Sequence, residues 1–244
     1  MHISNFIDKK EKNLEDFFGN LENLFFEKSS LLGEGRNTLK KIQFNERMFV
    51  VKSFKIPNIF QAIIYANIRT SKAERSYTNS MKLISAGLHS PKPIGYSVHR
   101  NKLKIFQSYY ISEYHNYEYD FRYLVNNFNS NIKIVEDFIK VIIAMHDSNI
   151  YHHDLTPGNI LISPTSSNVF SFIDNNRMSF KEMNLKMRME SISKLANNID
   201  QLNIFAELYA KNSSYHQDGC IKYIQRANRR RQRYIESKKI LRGR

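Results

Sequence analysis

Along residues 8–28 the apolar positions Leu14, Phe17, Phe18, Leu21, Leu24 and Phe25 recur at helical spacing between charged residues, which predicts an amphipathic helix packed against a larger body. The period then changes. Leu31-Leu32 leads into Gly33-Glu34-Gly35-Arg36-Asn37-Thr38, followed by residues 41–44, a turn at Asn45-Glu46-Arg47 and residues 48–54, which predicts a strand, a glycine-bearing turn and a further pair of strands. Pro57 interrupts the chain, and residues 59–86 predict helix, in one piece or two, closed by Gly87 as C-cap. Residues 94–98 and 103–112 predict a second hairpin around Arg100-Asn101-Lys102. Strands then become scarce. Residues 132–148 predict a helix with Ile132, Val135, Phe138, Ile139, Ile142 and Met145 on its apolar side, short strand-like runs follow at 160–162 and 169–173, and residues 181–244 predict helix throughout.

A β-rich first half with one main helix, followed by a helical second half, is an α+β, two-lobed plan. No Gly/Ser or Pro linker separates independent domains, so residues 1–244 are expected to form a single domain, with a first lobe over 1–113 that includes the N-terminal helix and a second over 114–244. The composition, 41% hydrophobic and 13% aromatic, is that of a globular chain. One cysteine, Cys220, forms no internal disulfide and excludes a cysteine-based zinc site. The N-terminus lacks a basic start and a long apolar core, and the apolar run 59–68 is far short of the roughly 20 residues that span a bilayer, so a cytoplasmic location is expected.

Charge sharpens the picture. The formal net charge is +14, with eleven Lys or Arg against one acid, Glu74, over residues 47–112, and ten against one acid, Glu236, over 221–244. Such density predicts an anionic partner, without choosing among nucleotide, phosphorylated glycan, nucleic acid and acidic lipid surface. Nucleic acid is not expected, because no aromatic stacking platform accompanies Arg229-Arg230-Arg231-Gln232-Arg233.

The sharpest motif is His152-His153-Asp154-Leu155-Thr156-Pro157-Gly158-Asn159, directly after the 132–148 helix. It resembles the kinase catalytic loop H-R-D-L-x-x-x-N, with His153 where Arg stands. In such a loop the carboxylate, Asp154, faces the accepting hydroxyl, and the amide of Asn159, five residues on, faces a metal that bridges nucleotide phosphates. Twenty residues after Asp154 an apolar strand delivers Asp174, the second oxygen ligand that Mg²⁺ needs from protein. Upstream, Phe49-Val50-Val51-Lys52 resembles the V-A-I-K strand, whose Lys pairs with phosphates and with a helix glutamate; Glu74 is the candidate partner, and the sequence does not fix the helix register closely enough to keep Ser76 or Thr78 from the facing position. Gly33 and Gly35, nineteen and seventeen residues before Lys52, stand where a phosphate-covering loop belongs, although Thr38 occupies the place of the third glycine of G-x-G-x-x-G. Glu113 and Tyr114 fall where a kinase connector meets adenine through backbone groups.

Together with residues 50–55, Lys72-Ala73-Glu74-Arg75-Ser76-Tyr77, Pro91-Lys92-Pro93-Ile94-Gly95-Tyr96 and Ile173-Asp174-Asn175-Asn176-Arg177, these motifs resemble the lipopolysaccharide kinase (Kdo/WaaP-like) family over roughly residues 30–180. The resemblance implies a protein-kinase-like fold, ATP and Mg²⁺, and transfer of a phosphoryl group to a sugar hydroxyl of the lipopolysaccharide inner core or a related lipid-linked glycan. It further implies an anionic glycan partner and peripheral contact with the cytoplasmic face of the inner membrane. Two departures stand out: His153 precedes the catalytic aspartate, and no A-P-E segment follows Asp174. Small-molecule phosphotransferases of the aminoglycoside or choline type and RIO-like protein kinases share the same core residues. A nucleotide-binding pseudokinase would keep the fold without turnover.

Overall fold

The computed structural model describes residues 2–55, 70–101, 105–163 and 169–241. The apolar run 59–68, Arg69 and Lys102 lie outside the described residues. The chain divides into two compact units, one of Met1–Asn116 with Asp174–Arg177, the other of Tyr117–Ile173 with Met178–Arg244.

In the first unit, β1 (His2–Ile7), β2 (Ser29–Glu34), β3 (Asn37–Phe44), β4 (Arg47–Phe54), β5 (Pro93–Arg100) and β6 (Ile105–Glu113) form a 6-stranded antiparallel sheet of order β1-β5-β6-β4-β3-β2. The β3–β4 connection turns on Asn45 (φ 46°) and Glu46 (φ 62°). Two consecutive left-handed residues match the right-handed twist of the strands they join. Strand β1 has no clear alternation, only intermediate or exposed positions. Its close approach to β5 needs a glycine: a Cβ on Gly95 would meet the Phe6 carbonyl oxygen at 2.2 Å.

The helix expected over 8–28 is three pieces: a 3₁₀ segment (Lys9–Leu14), α1 (Glu15–Gly19) and α2 (Leu21–Glu27). The break falls at Gly19-Asn20, two poor helix formers, where the Asn20 side chain donates back to the Asp16 carbonyl at 3.0 Å. The apolar face is nevertheless the expected one. Leu14, Phe17, Phe18, Leu21, Leu24 and Phe25 pack with Ile42, Phe49, Val51, Ile94, Tyr109 and Ile111 of the sheet in one buried cluster.

Helix α3 (Lys72–Ser85) starts at Ser71, whose Oγ accepts the Glu74 N–H at 3.0 Å, the first half of a capping box. It ends as expected at Gly87 (φ 77°), where the N–H groups of Gly87 and Leu88 donate to the carbonyls of Ile84 and Leu83. Ala73, Ser76, Tyr77, Ser80 and Leu83 form its buried face.

The second unit holds β7 (Tyr119–Asp120), α4 (Phe121–Asn126), α5 (Ile132–Asp147), β8 (Ile150–His152), β9 (Ile160–Ser163), β10 (Val169–Phe172), β11 (Met178–Phe180), α6 (Leu185–Ile192), α7 (Ile199–Lys211) and α8 (Gln217–Leu241). Its strands make two small sheets, β10-β9-β7 and β11-β8. Helix α5 buries Val135, Phe138, Ile139, Ile142 and Met145 as the pattern predicts, whereas Ile132, in its first turn, is exposed. Phe138 gathers Phe121 and Phe170 at ring distances of 4.3 and 5.1 Å. Cys220 is buried here, and burial pushes its thiol pKa up, which makes it unreactive.

Candidate active site

In β4, Phe49 and Val51 face the helix-covered core, so Lys52 projects from the opposite face of the sheet by simple alternation. Its Nζ lies 2.6 Å from Asp174 Oδ1, an ion pair between residues 122 apart in the chain and within the first unit. Asp174 holds a left-handed backbone (φ 57°), which costs a residue with a Cβ about 1–2 kcal/mol and persists only where neighbours enforce it.

The enforcing contacts are polar. Asn175, 3% exposed, donates from Nδ2 to Ser80 Oγ of α3 at 2.9 Å and to Ser90 Oγ at 3.0 Å. Asn79 Nδ2 donates to the Asn175 carbonyl at 2.7 Å, Arg75 Nε to the Asn176 carbonyl at 3.2 Å, and Asn176 Nδ2 to Asp174 Oδ1. Segment 174–177 is thus tied to α3 by side-chain amides and hydroxyls where an apolar residue could have packed. Reading the sequence for charge and motif missed Asn79, Ser80, Ser90 and Asn175; the one available signal was the Asn175-Asn176 pair in place of an apolar residue after Asp174.

Glu74 does not pair with Lys52, contrary to expectation: Asp174 is the carboxylate on the Lys52 amine, and no ion pair joins Lys52 to Glu74. Glu74 stands in the first turn of α3, where its backbone N–H donates to Ser71 Oγ, and the Lys52 amine is already taken by Asp174. Its negative charge is felt instead at Tyr96, whose phenol pKa is raised first by burial and second by Glu74.

Gly33 and Gly35 lie at the end of β2 and in the turn after it, and a Cβ on either would meet nothing within 4 Å. Open space beside this backbone suits the approach of a bulky anion. At the end of β6, the N–H of Glu113 donates to the Lys92 carbonyl and that of Tyr114 to the Met48 carbonyl, both at 2.9 Å. Those two donors are occupied, so the expected adenine contact at Glu113 and Tyr114 narrows to carbonyl oxygens. The Glu113 carboxylate is anchored by Arg47 Nη2 at 2.5 Å, and Arg47 Nη1 also holds buried Glu11 at 2.6 Å.

In the second unit, β8 delivers the 152–159 loop. His152 is fully buried, and its Nδ1 accepts the Asp154 N–H at 3.1 Å. The Asp154 carbonyl accepts both the Thr156 N–H and Asn159 Nδ2 at 2.8 Å. With its amide nitrogen engaged, Asn159 leaves Oδ1 as the atom able to meet a cation. The exposed His153 stands edge-on to Tyr151 at 4.6 Å and bonds Ser179 Oγ at 3.0 Å, so this ring braces the loop from outside. Ile173, the residue before Asp174, donates its N–H to the Asn159 carbonyl at 3.0 Å.

A carboxylate such as that of Asp174 and an amide oxygen such as that of Asn159 are each of the hard-oxygen donor type that Mg²⁺ takes. Among the described residues no group of three or more His, Cys, Asp or Glu is gathered that could hold a metal alone.

The chain matches the model of the lipopolysaccharide kinase (Kdo/WaaP) family over residues 55–214. It belongs to that family. Membership of the Kdo/WaaP family implies a kinase, a phosphotransferase that uses ATP and acts on the lipopolysaccharide core. Among 1065 similar chains of solved structure is WaaP in complex with acyl carrier protein, 14% identical, with a TM-score of 0.63 and coverage of 94% of this chain and 99% of that one. At that identity the likeness establishes the fold: α+β, with an N-terminal antiparallel sheet and a helical C-terminal part. No curated protein sequence matches. Among the described residues no helix is long and apolar enough to cross a membrane.

Proposed function

We propose that this Kdo/WaaP-family chain is a single kinase-like domain that transfers the γ-phosphoryl group of ATP, with Mg²⁺, to a sugar hydroxyl of the lipopolysaccharide inner core or a related lipid-linked glycan. The observation that carries this reading is the Lys52–Asp174 ion pair at 2.6 Å. A lysine amine and a carboxylate brought together from 122 residues apart are the two charges that a nucleotide triphosphate and its metal require.

Asp174 and Asn159 Oδ1 would hold Mg²⁺. When bound with ATP, the metal supplies the charge that offsets the β- and γ-phosphate oxygens. Lys52 leaves Asp174 to meet the α/β-phosphates. Gly33 and Gly35 let backbone approach the phosphates, and the carbonyls of Glu113 and Tyr114 receive the adenine amino group. Asp154 orients the acceptor hydroxyl and takes its proton as the phosphoryl group moves. Its backbone is held on both sides, N–H to His152 and carbonyl to Thr156 and Asn159, which fixes the loop from which the carboxylate projects. The enzyme then works where its acceptor lies, at the cytoplasmic face of the inner membrane.

The test is a panel: the protein with γ-labelled ATP and, separately, lipopolysaccharide core fragments, aminoglycosides and generic proteins. Label is expected on the core fragments. Label on protein alone would replace this reading by a RIO-like protein kinase, label on aminoglycosides by a small-molecule kinase, and nucleotide binding without transfer by a pseudokinase.

A further inference from the structure

Beside the 154–159 loop, within the second unit, lies a groove of about 400 Å³, inside the range of about 300–1,000 Å³ common for small-molecule sites. Thr156, Gly158 and Asn159 form one wall. Three cations reach into it from three separate places: Arg122 on α4, Lys194 just after α6, and Arg231 on α8. Among the described residues no Asp or Glu lines it.

Each cation is placed by a specific contact. The Arg122 guanidinium lies against Gly158, where a Cβ would meet its Nη2 at 2.1 Å, and Asp120 holds its Nε at 3.5 Å. Lys194 Nζ donates to the His153 carbonyl at 2.9 Å, next to Asp154. Arg231 differs from the other arginines of its run, because it turns inward. Its Nη1 donates to the carbonyls of Ser193 and Ala196, both at 3.0 Å, and among the described residues no carboxylate pairs with it. Burial lowers its pKa, a sign that its charge is poorly compensated. Three positive side chains lining one concave wall, with Asp120 beside Arg122, focus a positive potential there. A partly buried guanidinium without a carboxylate is costly unless an anion completes it.

We propose that this groove is an acceptor subsite that recognises a negatively charged substituent, phosphate or carboxylate, of the sugar substrate. Arg122 and Arg231 bind the anion, and Lys194 couples its position to the loop that carries Asp154. The inference rests on the reading of the chain as a glycan kinase and deepens it: the acceptor is selected by its charge at a point apart from the hydroxyl that is phosphorylated. A Cβ at Gly158 would displace the Arg122 guanidinium from its place against the loop.

The experiment is titration calorimetry without nucleotide, so that it does not depend on turnover. The probe is inner-core oligosaccharide released from lipopolysaccharide, used untreated, phosphatase-treated, carboxyl-amidated, or both. The untreated form is expected to bind, and the doubly neutralised form to bind at least about tenfold more weakly, as for loss of one charge-assisted hydrogen bond. The singly treated forms tell whether phosphate or carboxylate is read. Arg122→Ala, at an exposed position, is expected to weaken the untreated oligosaccharide by about tenfold while leaving the affinity for ATP unchanged. Equal binding of untreated and neutralised forms, no binding of the untreated form, wild-type affinity in Arg122→Ala, or a loss of ATP affinity in that variant would each overturn the proposal. Oligosaccharide binding that depends on charge and on Arg122, in a protein that transfers no phosphate, would sink the kinase reading and leave the groove standing.

Discussion

Replacing Asn175 by Ala removes the side chain that ties segment 174–177 to α3. Asn175 is 3% exposed and gives two hydrogen bonds, to Ser80 Oγ at 2.9 Å and Ser90 Oγ at 3.0 Å. At about 1 kcal/mol net for each, the loss is about 2 kcal/mol. The abandoned hydroxyls add little further cost, because Tyr110 OH donates to Ser80 Oγ at 3.3 Å and Ser90 Oγ stands 3.4 Å from Ser80 Oγ. The Asn175 carbonyl also keeps its bond from Asn79, so the segment loosens without detaching. Urea denaturation should register about 2 kcal/mol, and a double-mutant cycle with Ser90→Ala should give a coupling of about 1 kcal/mol. Because Asp174 is held in a left-handed conformation, its carboxylate should lose its fixed position, and kcat should fall about tenfold, with KM for the acceptor unchanged. A loss under about 0.5 kcal/mol, additive single mutants and wild-type kcat would refute the claim that a polar clamp positions Asp174.

Further outcomes follow from buried ionisable groups. His146 is fully buried, its Nδ1 bonded to Tyr209 OH at 3.1 Å, and burial lowers its pKa to about 3, with the Arg188 charge second. The native state binds no proton there while the unfolded state takes one near pH 6.5, so this stability is present above pH 6.5 and is lost as pH falls from 6.5 towards 3. The slope is about 1.4 kcal/mol per unit, and it should be absent in His146→Phe when urea midpoints are compared at pH 7 and pH 5. Glu11 is buried between Arg47 Nη1 at 2.6 Å and Lys92 Nζ at 2.5 Å, and the Arg47 hydrogen bond foremost holds its pKa below the usual value. Its contribution is present above the ordinary glutamate pKa and is lost as pH falls through the lowered one. Glu11→Gln should cost about 2 kcal/mol at pH 7 by thermal melting and nothing at a pH below both values.

Much of the architecture was legible because it follows from periodicity. Helix spacing located the buried face of residues 14–25, and Gly87 marked the end of α3. What failed was local. The helix expected over 8–28 breaks at Gly19-Asn20, two poor helix formers, and its first part is 3₁₀ and not α-helical. Strand β1 was invisible because it lies on a sheet edge with neither face deeply buried. In the candidate site, motif spacing pointed to Lys52 and Asp174, which the fold pairs at 2.6 Å, and to Asp154 and Asn159, which share a hydrogen bond at 2.8 Å. Spacing could not assign the Lys52 partner: which carboxylate reaches an amine depends on helix register and on the 174–177 backbone, and neither is encoded in a count of residues. The groove of Arg122, Lys194 and Arg231 was beyond sequence reading for the same reason, since its cations come from three helical regions that only the fold brings together.

The most direct measurement is single-turnover transfer from γ-labelled ATP to lipopolysaccharide core oligosaccharide by wild type, Asp154→Ala and Asp174→Ala, with urea midpoints measured alongside. Wild type should transfer label, and both variants should be slower by about a thousandfold or more, with Asp154→Ala as stable as wild type. Transfer at the wild-type rate by either variant would contradict the assignment of these two carboxylates to the chemistry.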